Sequence, residues 1–404
     1  MKHDALIIGA GPAGGAAALM LAQAGWSVAL VEKSSFPRRK VCGEFISATS
    51  LPLLHELGVA GSFLELAGPE VRRVGLFAGE TVLTSAMPQP RGSLERWGRA
   101  LGREHLDMFL LTAATQAGAR VWQPWTATEL QRNKNGYICK IAAKGISKEL
   151  HARIVIAAHG SWERGTLSAQ SLDRAHKPSD LLAFKAHFRE CDLPSDLMPL
   201  LIFPGGYGGM VHSDGGRVSL SCCIRRDELG RCRHRWKKHK AAEAVLQHIQ
   251  ASCLGVRQAL RCASLDGAWL SAGPIRPGIR KRYSNGIFLI GNAAGEAHPI
   301  VAEGISMAMQ SAWLLCQRLI ASQDDIVAGR AVAEVGRDYA TAWSTGFAAR
   351  IRAAAVFAHL AMRPNAALLL LPMLKRFPGI LTFGAQLSGK ARPIISVLHS
   401  RTAL

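Results

Sequence analysis

The sequence is poor in acidic residues, and this shortage leaves a large positive charge. Its 404 residues include 29 Asp and Glu against 49 Lys and Arg, for a formal net charge of +20 at pH 7. Such an excess suits an anionic partner, whether nucleic acid, an acidic carrier protein, a phosphorylated substrate or an anionic membrane surface. No motif with a defined base-reading element is present, so we expect no nucleic-acid partner. Peripheral membrane contact and an acidic carrier protein stay open, as does a protein that is simply basic.

Long apolar runs are also missing. No stretch reaches the roughly 20 apolar residues that a membrane-spanning helix needs. The nearest, residues 366–374, is broken by Pro372 and followed by Lys375 and Arg376. It could lie on a membrane surface, pack on the body of the protein, or line a substrate channel.

Paired cysteines are absent as well. The nine cysteines are scattered and form no C-x-x-C pair, which is typical of reduced thiols in a cytoplasmic protein and predicts no metal site. The first apolar strand follows Met1–Asp4 directly, so we expect no signal peptide. We therefore expect a cytoplasmic location, with membrane association left open.

The stretch Ala5–Lys33 carries the strongest motif in the chain. A short apolar strand runs into a turn that contains Gly9, Gly11 and Gly14, and a small-residue helix and a second strand ending at Glu32 follow. In this pattern the first glycine permits the tight turn, the second lets the backbone approach a pyrophosphate, and the third lets the helix pack on the strand. The helix N-terminus offers free N–H groups to the phosphates, and the acid can accept a hydrogen bond from ribose. The motif predicts a dinucleotide site.

The rest of the chain predicts alternating helical and β-rich segments. An amphipathic pattern predicts a helix from Arg103 to Gln116. Residues 121–130, 137–143, 150–157 and 181–189 are typical of strands. Pro204–Gly209 predicts a glycine-dense turn, and the chain from about Val332 is helical in pattern. The basic run Arg225–Lys240 predicts a solvated loop and helix start, or a docking segment for an acidic partner.

A second motif lies far along the chain, where the apolar strand Ile287–Ile290 precedes Gly291–Ala312. Together with the N-terminal motif, it resembles the flavoprotein superfamily of aromatic hydroxylases, geranylgeranyl reductases and flavin-dependent halogenases. The resemblance covers most of residues 1–320 and implies bound FAD.

The resemblance implies an α/β fold with three parts. These are a Rossmann-like FAD-binding domain of the glutathione-reductase type, a substrate domain built on an antiparallel sheet, and C-terminal helices. The expected boundaries are 1–75, 100–165 and 270–330 for a discontinuous FAD-binding domain, 76–99 and 166–269 for the substrate sheet, and 331–404 for the helical region.

The motifs and the resemblance also nominate site residues. The expected cofactor-binding residues are Gly9, Gly11, Ala13, Gly14, Glu32, Lys33, Arg39, Cys42, Arg103, Gly291, Asn292, Gly304 and Ile305. The expected substrate pocket contains Tyr207, Met210 and Pro299, and the candidate catalytic residues are His298, Cys42 and His212.

The chain departs from the family pattern at four places, and these departures limit which of the family's reactions we expect. The family's Gly-Asp pair is Gly-Asn at Asn292, which can still bond a flavin hydroxyl but lacks the charge. His159–Gly160 replaces the Asp-Gly pair that serves pyridine nucleotides in hydroxylases. The halogenase signature W-x-W-x-I-P is missing, and Gly209 stands where the reductases have the tryptophan of Y-x-W-x-F-P.

These features predict an FAD-dependent oxidoreductase. The favoured function is a monooxygenase that hydroxylates or oxidises a lipophilic aromatic or polyketide-type molecule. The first alternative is an isoprenoid double-bond reductase, and the second is a flavoprotein accessory factor that acts on a protein partner. Because of His159, the electron donor stays open between NAD(P)H and a reductase partner.

Overall fold

Two large sheets and the helices packed on them make up the fold. The structure is a computed structural model that describes residues 2–90, 95–160, 176–363 and 371–390. The main strands are β1 (Lys2–Ile8), β2 (Val28–Val31), β3 (Phe45–Ile46), β4 (Arg73–Ala78), β5 (Thr81–Ala86), β6 (Arg99–Ala100), β7 (Arg120–Trp122), β8 (Thr126–Asn133), β9 (Gly136–Ala143), β10 (Ile146–Ala157), β11 (Leu181–Arg189), β12 (Leu197–Phe203), β13 (Gly206–His212), β14 (Val218–Arg225), β15 (Ser264–Ile275), β16 (Gly278–Ile279), β17 (Tyr283–Ser284), β18 (Ile287–Leu289) and β19 (Gly295–Glu296).

The helices cover the first sheet and form much of the C-terminal part. They are α1 (Pro12–Gln23), α2 (Leu51–Glu56), α3 (Ala60–Leu66), α4 (Arg103–Gln116), α5 (Arg226–Arg235), α6 (Ala241–Ser252), α7 (Leu254–Ala259), α8 (Gly304–Ala321), α9 (Gln323–Val327), α10 (Val332–Ala361) and α11 (Gly379–Ala385). A further helical stretch occupies residues 371–376.

The first sheet has a parallel centre in the order β18-β10-β1-β2-β7, and β17 and the β8–β9 hairpin extend it. Its strands read as continuous apolar runs because both faces are covered. In the centre, Ile7 lies between Ile156 and Leu30 on its two neighbouring strands. Helices α1, α4 and α8 pack together on one face, so the small residues of α1 are almost all buried. The Gly-rich turn is thereby held at the carboxyl end of β1.

One strand prediction in this sheet is wrong. Residues 121–130 were expected to form a single strand, but β7 ends at Trp122 and β8 begins at Thr126. Pro124 lies between them and has no N–H to continue a ladder, which accounts for the break.

The second sheet has seven strands in the order β15-β11-β14-β13-β12-β4-β5. It is antiparallel except where β12 pairs with β4 in parallel. Strands β4 and β15 cross the expected domain boundaries near residues 75 and 270, and the division into domains stays a prediction. The expected range 166–269 includes residues 166–175, and the expected ranges 76–99, 100–165 and 331–404 also extend beyond the described residues.

The predicted turn Pro204–Gly209 is too long. Only Pro204 and Gly205 turn the chain, and β13 begins at Gly206. A Cβ on Gly206 would lie 2.2 Å from the Phe203 ring, and one on Gly208 would lie 2.7 Å from the Ser221 carbonyl oxygen. These glycines therefore allow close packing inside a sheet.

The C-terminal part crosses both sheets. Helix α10 packs against α8, and α11 rests on β4 and β5, where the Thr382 hydroxyl donates to the Ala86 carbonyl oxygen at 2.7 Å. In the basic run Arg225–Lys240, helix α5 begins at Arg226 and ends at Arg235, and Asp227 and Glu228 lie in its first turn. Among the described residues, no helix is both long enough and apolar enough to cross a membrane.

Candidate functional site

A single chamber of about 1180 Å³ lies between the two sheets. The carboxyl ends of β1 and β2 form one wall, strands β4, β12 and β13 form another, and the start of α8 and the C-terminal segment close it. In open α/β sheets ligands bind at the carboxyl ends of the strands. Because drug-sized ligands occupy pockets of roughly 300–1,000 Å³, the chamber has room for more than one ligand.

The three glycines of the N-terminal motif have distinct environments. Gly9 has φ +103°, and a Cβ there would lie 2.6 Å from the Ala158 carbonyl oxygen. A Cβ on Gly14 would lie 1.8 Å from the Gly9 oxygen, so Gly14 allows α1 to pack on the turn and does not line the chamber. Gly11 does line it, and a Cβ there would meet only the Arg103 guanidinium, at 3.5 Å. Backbone approach by a ligand is therefore possible at Gly11.

Glu32 ends β2 at the chamber wall, and its side chain is buried. Its carboxylate accepts hydrogen bonds from the backbone N–H groups of Ala10 and Ser34, both at 2.9 Å. The Arg38 guanidinium lies 3.4 Å away. Through these hydrogen bonds Glu32 links the Gly-rich turn to the end of β2, and it also lines the chamber.

Five cations line this end of the chamber: Lys33, Arg38, Arg39, Lys40 and Arg103. Arg103, buried at the start of α4, binds both carboxylate oxygens of Asp107 at 2.8 and 2.7 Å. Arg39 lies 3.2 Å from Glu104. Burial, together with the charges of Arg103 and Arg38, lowers the pKa of Lys40 to about 8. A bound anion would relieve this repulsion.

Among the basic residues near this turn, Arg39 and Lys33 were expected to bind the cofactor. Both lie in the wall, but so do Arg38 and Lys40, which were not among the expected residues. The run of three consecutive cations was the available signal, and the side chain that would turn inward could not be read from it.

The start of α8 forms the opposite wall. Gly291 has φ +59° and packs against Ala13, and the Asn292 side chain donates to Glu296 at 3.1 Å. Glu296 also pairs with Arg280 at 3.3 Å. Asn292 thus lies beside a carboxylate that no motif predicted. Gly304 and Ile305 line the chamber as expected.

A polar pair, Tyr207 and His298, lines the chamber. The Tyr207 hydroxyl is 3.2 Å from His298 Nδ1, and the His359 ring lies 5.7 Å from the His298 ring. Burial and the nearby His359 lower the pKa of His298 to about 4. Burial raises the pKa of Tyr207 well above its usual value. At neutral pH His298 is therefore uncharged and Tyr207 keeps its proton.

His212 does not join this group. Its Nε2 atom lies 2.8 Å from the Leu193 carbonyl oxygen, and the residue is outside the chamber wall. His212 is the last residue of β13, and the chamber lining on this strand ends at Val211. The geometry does not support a catalytic role for His212.

Cys42 lies in the wall beside a buried ionic cluster. The Glu44 N–H donates to the Cys42 sulfur at 3.4 Å, and the Glu44 backbone is left-handed with φ +63°. The Glu44 carboxylate pairs with Lys185 and lies 2.9 Å from His187 Nε2. Burial alone would raise the pKa of Glu44, but the hydrogen bond from His187 and the charge of Lys185 hold it well below its usual range. Sequence reasoning missed this cluster.

The remaining walls are apolar. Met210 and Pro299 line the chamber as expected. The sheet contributes Val74, Leu76, Met198, Leu200 and Ile202, and the C-terminal segment contributes Phe357, Leu360, Leu371, Leu374, Ile380 and Leu381. Of the apolar run 366–374, Leu371, Met373 and Leu374 line the chamber, while residues 366–370 lie outside the described ranges.

Residues 2–339 match the family model described as an FAD binding domain. The chain belongs to this family. It is 28% identical over 340 residues to digeranylgeranylglycerophospholipid reductase 1 of Methanothermobacter thermautotrophicus, covering 81% of this chain and 80% of the relative. It is 24% identical over 336 residues to menaquinone reductase of Mycobacterium tuberculosis, covering 78% of this chain and 76% of the relative.

The fold is also that of solved flavoenzymes. The flavin-dependent brominase Bmp2 superposes with a TM-score of 0.75 at 18% identity, covering 96% of this chain and 94% of the brominase. A likeness at this identity supports the fold alone. The predicted α/β fold and the predicted superfamily are both confirmed.

The protein is therefore an FAD-dependent oxidoreductase. The chamber fits the cofactor: Gly11, Lys40 and Arg103 would hold the pyrophosphate, Glu32 a ribose, and Asn292 a ribitol hydroxyl. The start of α8 would face the flavin ring, where its N-terminal N–H groups favour negative charge. When bound, FAD would donate electrons to a substrate or accept electrons from it.

Proposed function

We propose that the protein is a monooxygenase that adds one oxygen atom to a lipophilic aromatic molecule, with a phenol as the simplest substrate. The observation that carries the proposal is the Tyr207–His298 pair, which lies uncharged in an otherwise apolar part of the chamber. The overall reaction consumes the substrate, O2, two electrons and two protons, and it gives the hydroxylated product and water.

The pair suits an aromatic hydroxyl because both side chains are uncharged and can exchange a hydrogen bond with it. Tyr207, whose hydroxyl lies 3.2 Å from His298 Nδ1, would hydrogen-bond the substrate hydroxyl and hold the ring in place. The hydroxyl group makes such a ring electron-rich, which promotes attack on activated oxygen. Reduction of a carbon–carbon double bond instead needs a proton donor, and a histidine that is neutral at pH 7 is a poor one.

The apolar walls would bind the rest of the substrate. Side chains from β4 and β12 form one side of the channel, and Phe357, Leu374 and Leu381 form the other. These surfaces exclude water, which protects reactive oxygen species from side reactions. They also suit an alkyl or polyene tail better than a polar group.

A double-bond reductase is the second candidate, and Cys42 favours it. The thiol lies in the chamber wall beside the Arg103 guanidinium, where it could supply the proton that follows hydride transfer. Two of the relatives named above are reductases. The chamber thus contains both a neutral hydrogen-bonding pair suited to a hydroxyl group and a thiol that could donate a proton.

Substrate-dependent oxygen uptake separates the two functions. The FAD-loaded protein would be reduced with dithionite and then given pentadecylphenol or geranylgeraniol, with and without air. The proposal predicts a phenol product heavier by one oxygen atom, formed only in air. Geranylgeraniol reduced without air, with the phenol unchanged in air, would establish the reductase instead.

A further inference from the structure

Large apolar side chains are exposed mainly in one part of the protein. Among the residues that the structure describes, twelve large hydrophobic side chains are exposed, and seven of them lie between residues 356 and 387. We call these seven the C-terminal face: Val356, Phe357, Leu360, Met373, Phe377, Phe383 and Leu387. Exposed apolar groups concentrated in this way mark an interaction surface.

The same part of the chain carries charge of one sign only. No Asp or Glu follows Asp338, whereas eight Lys or Arg do. Arg352, Arg363, Lys375 and Arg376 are all exposed. Arg352, Val356 and Leu360 recur at helical spacing on α10, and Arg363 follows two residues after the helix ends, so cations precede and follow the exposed apolar residues.

The C-terminal face is continuous with the chamber. Phe357, Leu360 and Met373 are 47%, 38% and 45% exposed, and the same three residues line the chamber. A side chain that is both exposed and part of the wall marks the rim of an opening. The apolar interior therefore meets solvent at this face.

We propose that the C-terminal face docks on an anionic lipid bilayer and that a lipophilic substrate enters the chamber directly from it. Phenylalanine and leucine side chains would enter the headgroup–acyl boundary, and the cations would lie among anionic headgroups. Transfer from bilayer to chamber would spare an insoluble molecule from crossing water.

A second copy of the chain fits this face less well. A two-fold dimer would bring the same surface against itself, and the cations of one copy would face those of the other. An acidic protein would pair with the cations, but its polar surface would not match the apolar side chains around the opening of the chamber. An anionic bilayer matches both the charge and the apolar surface.

Vesicle sedimentation tests the proposal without any turnover, so its outcome is independent of the proposed reaction. The probes are vesicles of phosphatidylcholine alone and of phosphatidylcholine with phosphatidylglycerol. The wild type is expected to bind the anionic vesicles and to be released by salt. Phe377→Ser with Phe383→Ser, and separately Lys375→Gln with Arg376→Gln, should each weaken binding on the order of tenfold or more.

Matched controls come from other surfaces. Arg233→Gln with Lys237→Gln removes two exposed cations from the basic run, and Leu265→Ser removes an exposed leucine from β15. Both control proteins should bind as the wild type does, and circular dichroism should show that all variants are folded. If the control variants lose as much vesicle binding as the variants of the C-terminal face, the proposal is overturned. It is also overturned if the wild type does not bind anionic vesicles. Size exclusion showing a dimer that the Phe377 and Phe383 changes dissolve would assign the face to self-association.

Discussion

The three glycines of the N-terminal turn differ in what surrounds them, and this difference allows cofactor binding to be separated from folding. A Cβ on Gly9 or Gly14 would lie within 3 Å of neighbouring backbone atoms, whereas Gly11 faces the chamber. Its φ of −70° suits any residue. A side chain at position 11 would therefore fill ligand space without straining the turn.

We predict that Gly11→Val lowers FAD affinity by about tenfold or more, because the added methyl groups would occupy the space that the pyrophosphate needs. Fluorescence titration of the apoprotein with FAD measures this. The melting temperature of the apoprotein should change little. Gly14→Ala is the comparison, since its Cβ would collide with Gly9 and should lower the melting temperature instead. An unchanged FAD affinity in Gly11→Val would remove this turn from the cofactor site.

His298 gives a prediction about pH. Its pKa falls from 6.5 to about 4 on burial, so the folded protein binds this proton more weakly than the unfolded chain does. Its effect on stability is constant above about pH 6.5, and the folded state is disfavoured progressively as the pH falls from 6.5 to 4. Urea unfolding at several pH values should show a smaller acid-induced loss in His298→Gln than in the wild type, by on the order of 3 kcal/mol. Parallel losses in the two proteins would mean that His298 titrates normally.

Some site residues were predictable and others were not, for physical reasons. Gly11, Glu32 and Gly291 belong to local patterns whose spacing encodes a strand, a turn and a helix. Glu44 was overlooked because its partner Lys185 lies 141 residues further along the chain, on the other sheet. A contact between residues so far apart in the chain produces no periodic pattern in the sequence, so it could not be predicted from one.

The elements that frame the chamber depend on a buried ion pair at the start of α8. Lys390, in the last described segment, lies 2.9 Å from the carboxylate of Glu303, the residue directly before that helix. Both side chains are buried, and Lys390 also donates to the Val301 carbonyl oxygen at 2.6 Å. The pair joins the C-terminal segment to the wall where the flavin ring would lie.

We predict that Lys390→Met lowers the free energy of unfolding by about 3–5 kcal/mol, because Glu303 would be left as a buried, uncompensated charge. Glu303→Gln in the same protein should recover much of that loss. Denaturant titration of both single variants and the double variant measures the coupling between them. Losses that simply add would show that the two side chains do not interact.

The predicted secondary structure was correct where a single hydrophobic pattern, helical or alternating, was clear in the sequence. The helix Arg103–Gln116 and the strand Leu181–Arg189 lie where they were predicted. Strand β12 was not predicted, and it contains Pro199, a residue that is uncommon inside strands. Pro199 is tolerated because the antiparallel pairing with β13 begins one residue later, at Leu200. The first four residues of β13, Gly206–Gly209, were assigned to a turn because glycine is typical of turns. In the structure Gly206 and Gly208 instead allow close packing between neighbouring strands.

The whole molecule brings four distant segments to one chamber. Residues near 10, 40, 207 and 300 line it, and the C-terminal segment closes it. The family resemblance predicted this arrangement in outline. It did not predict the neutral Tyr207–His298 pair, which depends on the burial that β13 and α10 provide together.

A single turnover in isotopically heavy oxygen gas tests the monooxygenase proposal most directly. FAD-loaded protein, reduced without air, would be mixed with pentadecylphenol and the labelled gas, and the product analysed by mass spectrometry. The account predicts one labelled oxygen atom in each product molecule, with slower formation in His298→Gln. A hydroxylated product without label, or a product that has gained two hydrogen atoms and forms equally well without oxygen, would contradict it.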